Sequence, residues 1–109
     1  MYEKQYVYLI CDPDKNLFKV GVTKNLCGKR MKQLQTGNGT ELHIANYHLT
    51  KHPFRVEKML HNKFHDKREH GEWFNLEPEQ VFSFKKYCDE IEELFKTLSD
   101  NPFFQKNLH

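Results

Sequence analysis

The feature that most constrains the fold is a pair of short runs near the N-terminus, rich in β-branched and aromatic residues. The runs are QYVYLIC at residues 5–11 and LFKVGV at residues 17–22, with DPDKN between them. Five residues of turn chemistry between two such runs predict a β-hairpin. The chain should therefore begin with two paired antiparallel strands.

Side-chain alternation divides each predicted strand into two faces. One face of the first strand carries Tyr6, Tyr8 and Ile10, and one face of the second carries Lys19, Gly21 and Thr23. Whether these two faces coincide depends on the register of the pair, which the sequence leaves open.

Helical and extended segments alternate after the hairpin. Asn25 is a suitable N-cap for a helix that runs to about Gln35, with Gly37 as its stop. Residues 42–50 predict a third strand, and Pro53 begins a second helix.

The C-terminal third predicts a short extended segment, GEWFNL at residues 71–76, and then a helix over about 78–99 that begins at Glu77 or Pro78. Its apolar residues recur in alternating steps of three and four: Val81, Phe84, Cys88, Ile91, Phe95 and Leu98. Such a seam packs within the domain or joins two copies as a homodimer, and packing within the domain is the default.

This order of elements predicts an α+β fold with a small, three-stranded, mainly antiparallel sheet flanked by three helices. A chain of 109 residues has the usual size of one domain, so we expect one domain over residues 1–109.

Composition indicates a cytoplasmic protein in a reducing compartment. Cys11, Cys27 and Cys88 are odd in number and far apart, without a CxxC pair, which favours neither disulfides nor a zinc knuckle. No apolar run approaches the roughly 20 residues needed to cross a bilayer. We therefore expect no membrane partner.

The net charge of +2 is distributed unevenly. Residues 1–76 hold 13 Lys and Arg against 8 Asp and Glu, whereas residues 77–109 hold 4 against 7. A basic body with an acidic C-terminal segment suits a polyanionic ligand on one surface.

Hydrolysis of a phosphodiester needs a positioned water and positive charge on the phosphate oxygens. Glu57, Arg30, Tyr8 and Lys19 are suitable residue types for this chemistry, and they fall on four consecutive predicted elements. Most domains of this size contain all four types, so composition alone would not select them.

Short motifs in a fixed order make the selection sharper. They are YVYLI at 6–10, FKVGV at 18–22, KR at 29–30, LQTGN at 34–38, and Glu57 followed by LH at 60–61, Phe64, Arg68 and GEWF at 71–74. Over residues 5–76 the chain resembles the GIY-YIG nuclease superfamily, and specifically its phage-associated branch, in which the second motif is KIG-like rather than YIG.

The resemblance implies a role for each matching position. Tyr8 corresponds to the tyrosine that orients or deprotonates the attacking water, and Arg30 to the arginine that contacts the scissile phosphate. Glu57 corresponds to the glutamate that binds one divalent ion, Mg²⁺ or Mn²⁺. Gly21 matches the motif glycine, which permits close approach of backbone or substrate.

Lys19 departs from the YIG tyrosine of the superfamily. A lysine acts as a base only if burial or neighbouring cations lower its pKa far below its reference of about 10.4. We therefore favour a charged Lys19 that stabilises the phosphate, and we assign the positioning of water to Tyr8.

His61 lies one turn after Glu57, where it could assist the leaving group, tune the metal glutamate or simply pack. Glu57, His61 and His65 also have the i, i+4, i+8 spacing of a row of zinc ligands, although spacing alone is weak evidence. Without the resemblance, Glu57 and His61 would suit an ordinary solvated helix stripe.

Two further groups are candidates for nucleic-acid contact. Trp73 and Phe74 suit core anchors better than base-stacking platforms. The candidate phosphate contacts are Lys24, Lys29, Lys32, Lys58, Lys63 and Arg68. Such contacts set affinity and salt dependence rather than sequence preference.

The sequence thus predicts a metal-dependent endonuclease that hydrolyses nucleic acid, with DNA favoured over RNA. The alternative is a nucleic-acid-binding module of the same fold with weak or no turnover. No segment with the pattern of a sequence-reading domain is evident, so a targeting partner is a further expectation.

Overall fold

The computed structural model describes residues 3–27 and 41–99. Within these ranges the strands form one antiparallel sheet against which the helices pack. The strands are β1 (Gln5–Asp12), β2 (Leu17–Thr23), β3 (His43–Thr50), β4 (Arg68–His70) and β5 (Trp73–Phe74), and their order across the sheet is β3-β1-β2-β5-β4. The α+β class is confirmed.

The expected three-stranded sheet is wrong, because the sheet has five strands. The two additional strands are β4 and β5, which pair with each other around Gly71, where φ is +54°. β4 has the sequence REH, without the apolar alternation that marks a half-buried strand. The sequence of β4 alone therefore does not predict a strand. β4 pairs with β5, and β5 in turn pairs with the edge of β2.

The predicted hairpin is confirmed, and its register is now fixed. Tyr8 lies opposite Gly21, and Ile10 lies opposite Lys19. The turn is held by the side chain of Asp12, whose Oδ1 accepts the backbone N–H of Asp14 at 3.1 Å. Asn16 adopts a positive φ of 54° at the end of this turn, a conformation that asparagine tolerates better than most residues.

Three α-helices follow β3 in the described ranges: α1 (Pro53–Lys63), α2 (Pro78–Phe82) and α3 (Phe84–Ser99), with a 3₁₀ turn at His65–Lys67. Pro53 and Pro78 each begin a helix as predicted. Glu77 caps α2 in a capping box with Gln80. The single helix expected over about 78–99 is instead divided at Ser83.

The core lies between the helices and one face of β1 and β2. Its fully buried members are Val7, Leu9, Val20, Val56, Leu60, Phe64, Phe74, Phe84 and Cys88. Full burial of an apolar side chain of this size contributes about 1.5–3 kcal/mol. Phe84, Cys88 and Ile91 belong to the cluster, and Val81 and Phe95 pack against it. The apolar seam of the C-terminal helix is thus used within the chain.

The helix predicted to follow Asn25 lies mostly outside the described residues. At its predicted start, Oδ1 of Asn25 accepts the backbone N–H of Cys27 at 2.9 Å, which is the type of contact that an N-cap asparagine makes. Of the helices in the described ranges, none combines the length and the apolar character that crossing a membrane requires.

Candidate functional site

Tyr8 and Gly21 form a close cross-strand pair in the N-terminal hairpin. A Cβ atom at position 21 would lie 2.3 Å from the Tyr8 hydroxyl oxygen, so only glycine leaves room for this ring. Tyr8 is fully buried, and its hydroxyl has no hydrogen-bond partner among the described residues. Burial of an unpaired hydroxyl costs about 1–3 kcal/mol.

Lys19 projects from the same face of β2 as Gly21, because the two residues are separated by one position. Its ammonium group lies 3.0 Å from a carboxylate oxygen of Glu72, and only 15% of the Lys19 side chain is exposed. Lys19 also lies 6.0 Å from the centre of the Trp73 ring. The ammonium group of Lys19 is therefore held beside the sheet by Glu72 and Trp73 and does not extend into solvent.

The edge of β2 opens where β5 ends. β5 pairs with β2 only at Phe18↔Phe74 and Lys19↔Trp73, so no described strand covers this edge from Val20 to Thr23. The carbonyl of Val20 instead accepts Nε2–H of His61 at 3.2 Å. At this edge of β2, a side chain of the helix at Pro53–Lys63 thus makes the hydrogen bond that a neighbouring strand would otherwise make.

This contact fixes the tautomer of His61. A carbonyl only accepts, so Nε2 carries a proton, and in a neutral ring the lone pair of Nδ1 then accepts from Arg68. Nη2 of Arg68 lies 3.5 Å from that Nδ1. The ring of His61 also meets Phe74 edge-on, with the centroids 5.1 Å apart. His61 therefore connects α1 to both β2 and β5.

Glu57 lies one turn before His61 on α1 and is brought to the same opening. Potential ligand atoms of Glu57, His61 and Glu72 all lie within 4.8 Å of one another. Carboxylates suit Mg²⁺ and Mn²⁺, and Mg²⁺ is usually bound through one or two of them, whereas an imidazole nitrogen suits softer ions such as Zn²⁺. The residues present therefore fit a divalent ion.

Glu72 is a site residue that sequence reasoning did not select. It belongs to the GEWF motif that contributes to the resemblance, but only Trp73 and Phe74 of that motif were assigned roles. Glu72 reaches the site because the turn at Gly71 carries the chain from β4 into β5, next to Lys19. A long-range ion pair of this kind has no local signal in sequence.

A cleft of about 470 Å³ lies at this opening. Its lining residues are Gln5, Val22, Thr23, Lys24, Phe54, Glu57 and Glu72. Lys24, one of the predicted phosphate contacts, is thus placed beside the two carboxylates.

The other predicted contact residues are dispersed. Lys58 is exposed on α1, whereas the ammonium of Lys63 lies 4.3 Å from the centre of the Tyr87 ring. Arg68 lies over Phe74, with its guanidinium 5.7 Å from the ring centre. Lys29, Arg30 and Lys32 lie outside the described residues.

The aromatic pair after Glu72 has a structural position. Phe74 is fully buried in the core, and Trp73 is partly buried beside Lys19. His65 is exposed, and its Nδ1 donates to the carbonyl of Asn62 at 2.8 Å. The sequence suggested a row of ligands formed by Glu57, His61 and His65. Among the described residues, Glu57 and His61 instead form a possible ion-binding group with Glu72.

A second polar cluster joins β3 to α3 and was also missed from sequence. Nε2 of His48 lies 2.6 Å from Glu92, and the hydroxyl of Thr50 donates to the other oxygen of the same carboxylate. Both ring nitrogens of His48 face carboxylates, since Nδ1 lies 3.9 Å from Asp89. This cluster ties the edge strand to the C-terminal helix.

Comparison with known proteins gives one family. The sequence profile of the T5orf172 domain matches residues 5–94. The match includes Tyr8, Lys19, Glu57, His61 and Glu72, and it extends beyond the motifs into α3. Neither the curated proteins nor the solved structures gave a match.

Proposed function

The chain belongs to the T5orf172 domain family, and from its site we propose that it is a metal-dependent endonuclease of the GIY-YIG type, which hydrolyses phosphodiester bonds in nucleic acid, DNA in the first place. The observation that carries the proposal is the convergence of Glu57, His61 and Glu72 within 4.8 Å. These groups adjoin the strand that bears Lys19 and Gly21.

Glu57 would hold the ion, with Glu72 as a further donor. A bound Mg²⁺ or Mn²⁺ supplies positive charge that stabilises the negative charge building on the phosphate oxygens. The two carboxylates concentrate negative charge at the opening, and this attracts a divalent cation.

The chain's own residues perform the remaining tasks. The Tyr8 hydroxyl, which is buried in this structure, would position the water that attacks phosphorus while the bond to the leaving oxygen breaks, as the family resemblance implies. Lys19, whose ammonium group lies 3.0 Å from Glu72, stabilises the phosphate. Arg30 would contact the scissile phosphate, as the family resemblance implies.

His61 acts in this scheme as a positioning residue. Its bond to Val20 and its edge contact with Phe74 hold α1 against the sheet and so fix the position of Glu57. Lys24 provides a phosphate contact at the cleft. The cytoplasm remains the predicted compartment, and a targeting partner and a homodimer stay predictions.

A specific observation supports the alternative, a binding module without turnover. Lys19 occupies the position of the second motif tyrosine and engages Glu72, one of the three groups that could hold an ion. An ion pair that competes with the metal would leave a site that grips phosphate but cuts poorly.

Cleavage and binding measured together separate the two functions. Supercoiled plasmid is incubated with the protein in Mg²⁺, in Mn²⁺ and in EDTA, and binding is followed in EDTA by gel shift. We expect nicked and linear products only with metal. Binding without metal-dependent products from duplex, branched or single-stranded DNA, or from RNA, would establish the binding module instead.

A further inference from the structure

Phe54 is an exposed aromatic residue beside the candidate active site. It is the second residue of α1, and 66% of it is accessible to solvent. It does not belong to the core cluster or to the apolar residues packed against it. A single exposed apolar residue is ordinary, but Phe54 lines the same cleft as Glu57 and Lys24.

Its position along α1 places it close to the metal glutamate. Phe54 and Glu57 are three residues apart on the helix, and Cβ atoms at that spacing are about 5–6 Å apart. A phosphate at Glu57 would therefore have the Phe54 ring within reach of a neighbouring nucleotide.

Basic residues continue the surface away from the cleft. A second hollow of about 560 Å³ shares Lys24 and Phe54 with the cleft and adds Lys51 and Arg55. A third, of about 490 Å³, shares Lys51 and Arg55 and adds two more basic residues, Lys4 and Lys96.

The acidic residues that line these two hollows are Glu3 and Glu92. Glu92 is already engaged by His48 and Thr50, so the surface is dominated by positive charge. We call the band formed by Lys24, Phe54, Lys51 and Arg55 the α1 track.

We propose that the α1 track binds an unpaired segment of nucleic acid next to the bond that is cut, with a base stacked on Phe54 and the backbone following the basic residues. The proposal rests on the proposed function, because the α1 track begins at the candidate active site around Glu57. Aromatic rings set among lysines and arginines are how proteins bind single strands without reading sequence. Bases inside a duplex are already stacked on one another, so the ring favours substrates with an unpaired base at the cut.

Equilibrium binding in EDTA tests the track without cleavage. Fluorescein-labelled single-stranded DNA, single-stranded RNA and duplex DNA of one sequence are titrated with wild type, Phe54→Ala and Phe54→Trp. Phe82→Ala is the matched control, because Phe82 is 84% exposed but lines neither the cleft nor the two hollows. The DNA and RNA arms show which strand the track accepts.

A stacked base corresponds to about 5- to 150-fold in affinity when the aromatic ring is removed. Phe54→Ala should therefore weaken single-strand binding by about tenfold or more, with duplex binding and thermal stability little changed. Phe54→Trp should restore it, and Phe82→Ala should bind like wild type. A base analogue whose fluorescence is quenched by stacking should lose its quenching only in Phe54→Ala.

The outcomes separate this inference from the proposed function. Equal single-strand affinity of Phe54→Ala and Phe82→Ala would overturn the α1 track, even if the wild type cuts DNA. A wild type that binds through Phe54 but never cuts would leave the track standing and refute the nuclease. A wild type that binds none of the three probes would refute both.

Discussion

At the scale of single residues, the site depends on one close pair. Tyr8 fits only because position 21 has no side chain, and its hydroxyl is buried without a partner among the described residues. The sequence predicted that both residues belong to the hairpin but left their register open. The structure places them opposite each other. Whether the Tyr8 hydroxyl has a hydrogen-bond partner depends on the packing around it, which no local sequence pattern predicts.

Tyr8→Phe should separate stability from activity. It removes a hydroxyl that is costly to bury, so the free energy of unfolding should stay the same or rise by about 1 kcal/mol. Cleavage should fall by about 100-fold, because the attacking water loses its positioning group. Urea unfolding and plasmid nicking are measured on one preparation.

Gly21→Ala is the companion variant, since its Cβ would collide with the ring. It should lose about 1–3 kcal/mol of stability. Full activity of Tyr8→Phe combined with a clear loss of stability would mean that the hydroxyl has a structural role.

At the scale of elements, the sequence predicted those with local signals. The hairpin, the helix that begins at Pro53 and the helix start at Glu77 or Pro78 follow from turn and proline chemistry. The β4–β5 ribbon lacks such a signal, because its pairing depends on the edge of β2. The docking of α1 on that edge through His61 is equally non-local.

His61→Gln and His61→Ala test how α1 is held. A glutamine amide can place an N–H near the position of Nε2 and keep the bond to Val20, whereas alanine removes it. We expect His61→Ala to lose about 1–2 kcal/mol of stability and most of its cleavage, and His61→Gln to keep the larger part of both. If His61→Gln is as stable as wild type but inactive, Nδ1 takes part in the chemistry.

At the scale of the whole molecule, the sheet and the C-terminal helix form one core, and the thiols report on it. Cys88 is fully buried in that core, whereas Cys27 is exposed. Burial, followed by the nearby carboxylates of Asp89 and Glu92, raises the pKa of Cys88 to about 12. Its thiol therefore stays protonated at neutral and mildly alkaline pH.

Thiol labelling should follow this division. At pH 8 Cys27 should react quickly with Ellman's reagent, and Cys88 should react only as the core opens, because the thiolate is the reactive form. A thiol with a raised pKa in the folded state favours folding below its ordinary value of 9.0, and this contribution declines as pH rises toward about 12. The labelling reaction is stopped at set times, with and without urea, and mass spectrometry identifies which cysteine carries the label. Rapid native labelling of Cys88 would contradict the packing of α3.

The most direct measurement of the central claim compares two carboxylate variants. Glu57→Gln removes the proposed metal ligand, and Glu90→Gln removes an exposed carboxylate from α3 as the matched control. We expect Glu57→Gln to cut supercoiled plasmid at least about 100-fold more slowly in Mg²⁺ while it binds DNA in EDTA like wild type, and Glu90→Gln to cut normally. Wild-type cleavage by Glu57→Gln, or equal losses in the two variants, would contradict a nuclease centred on Glu57.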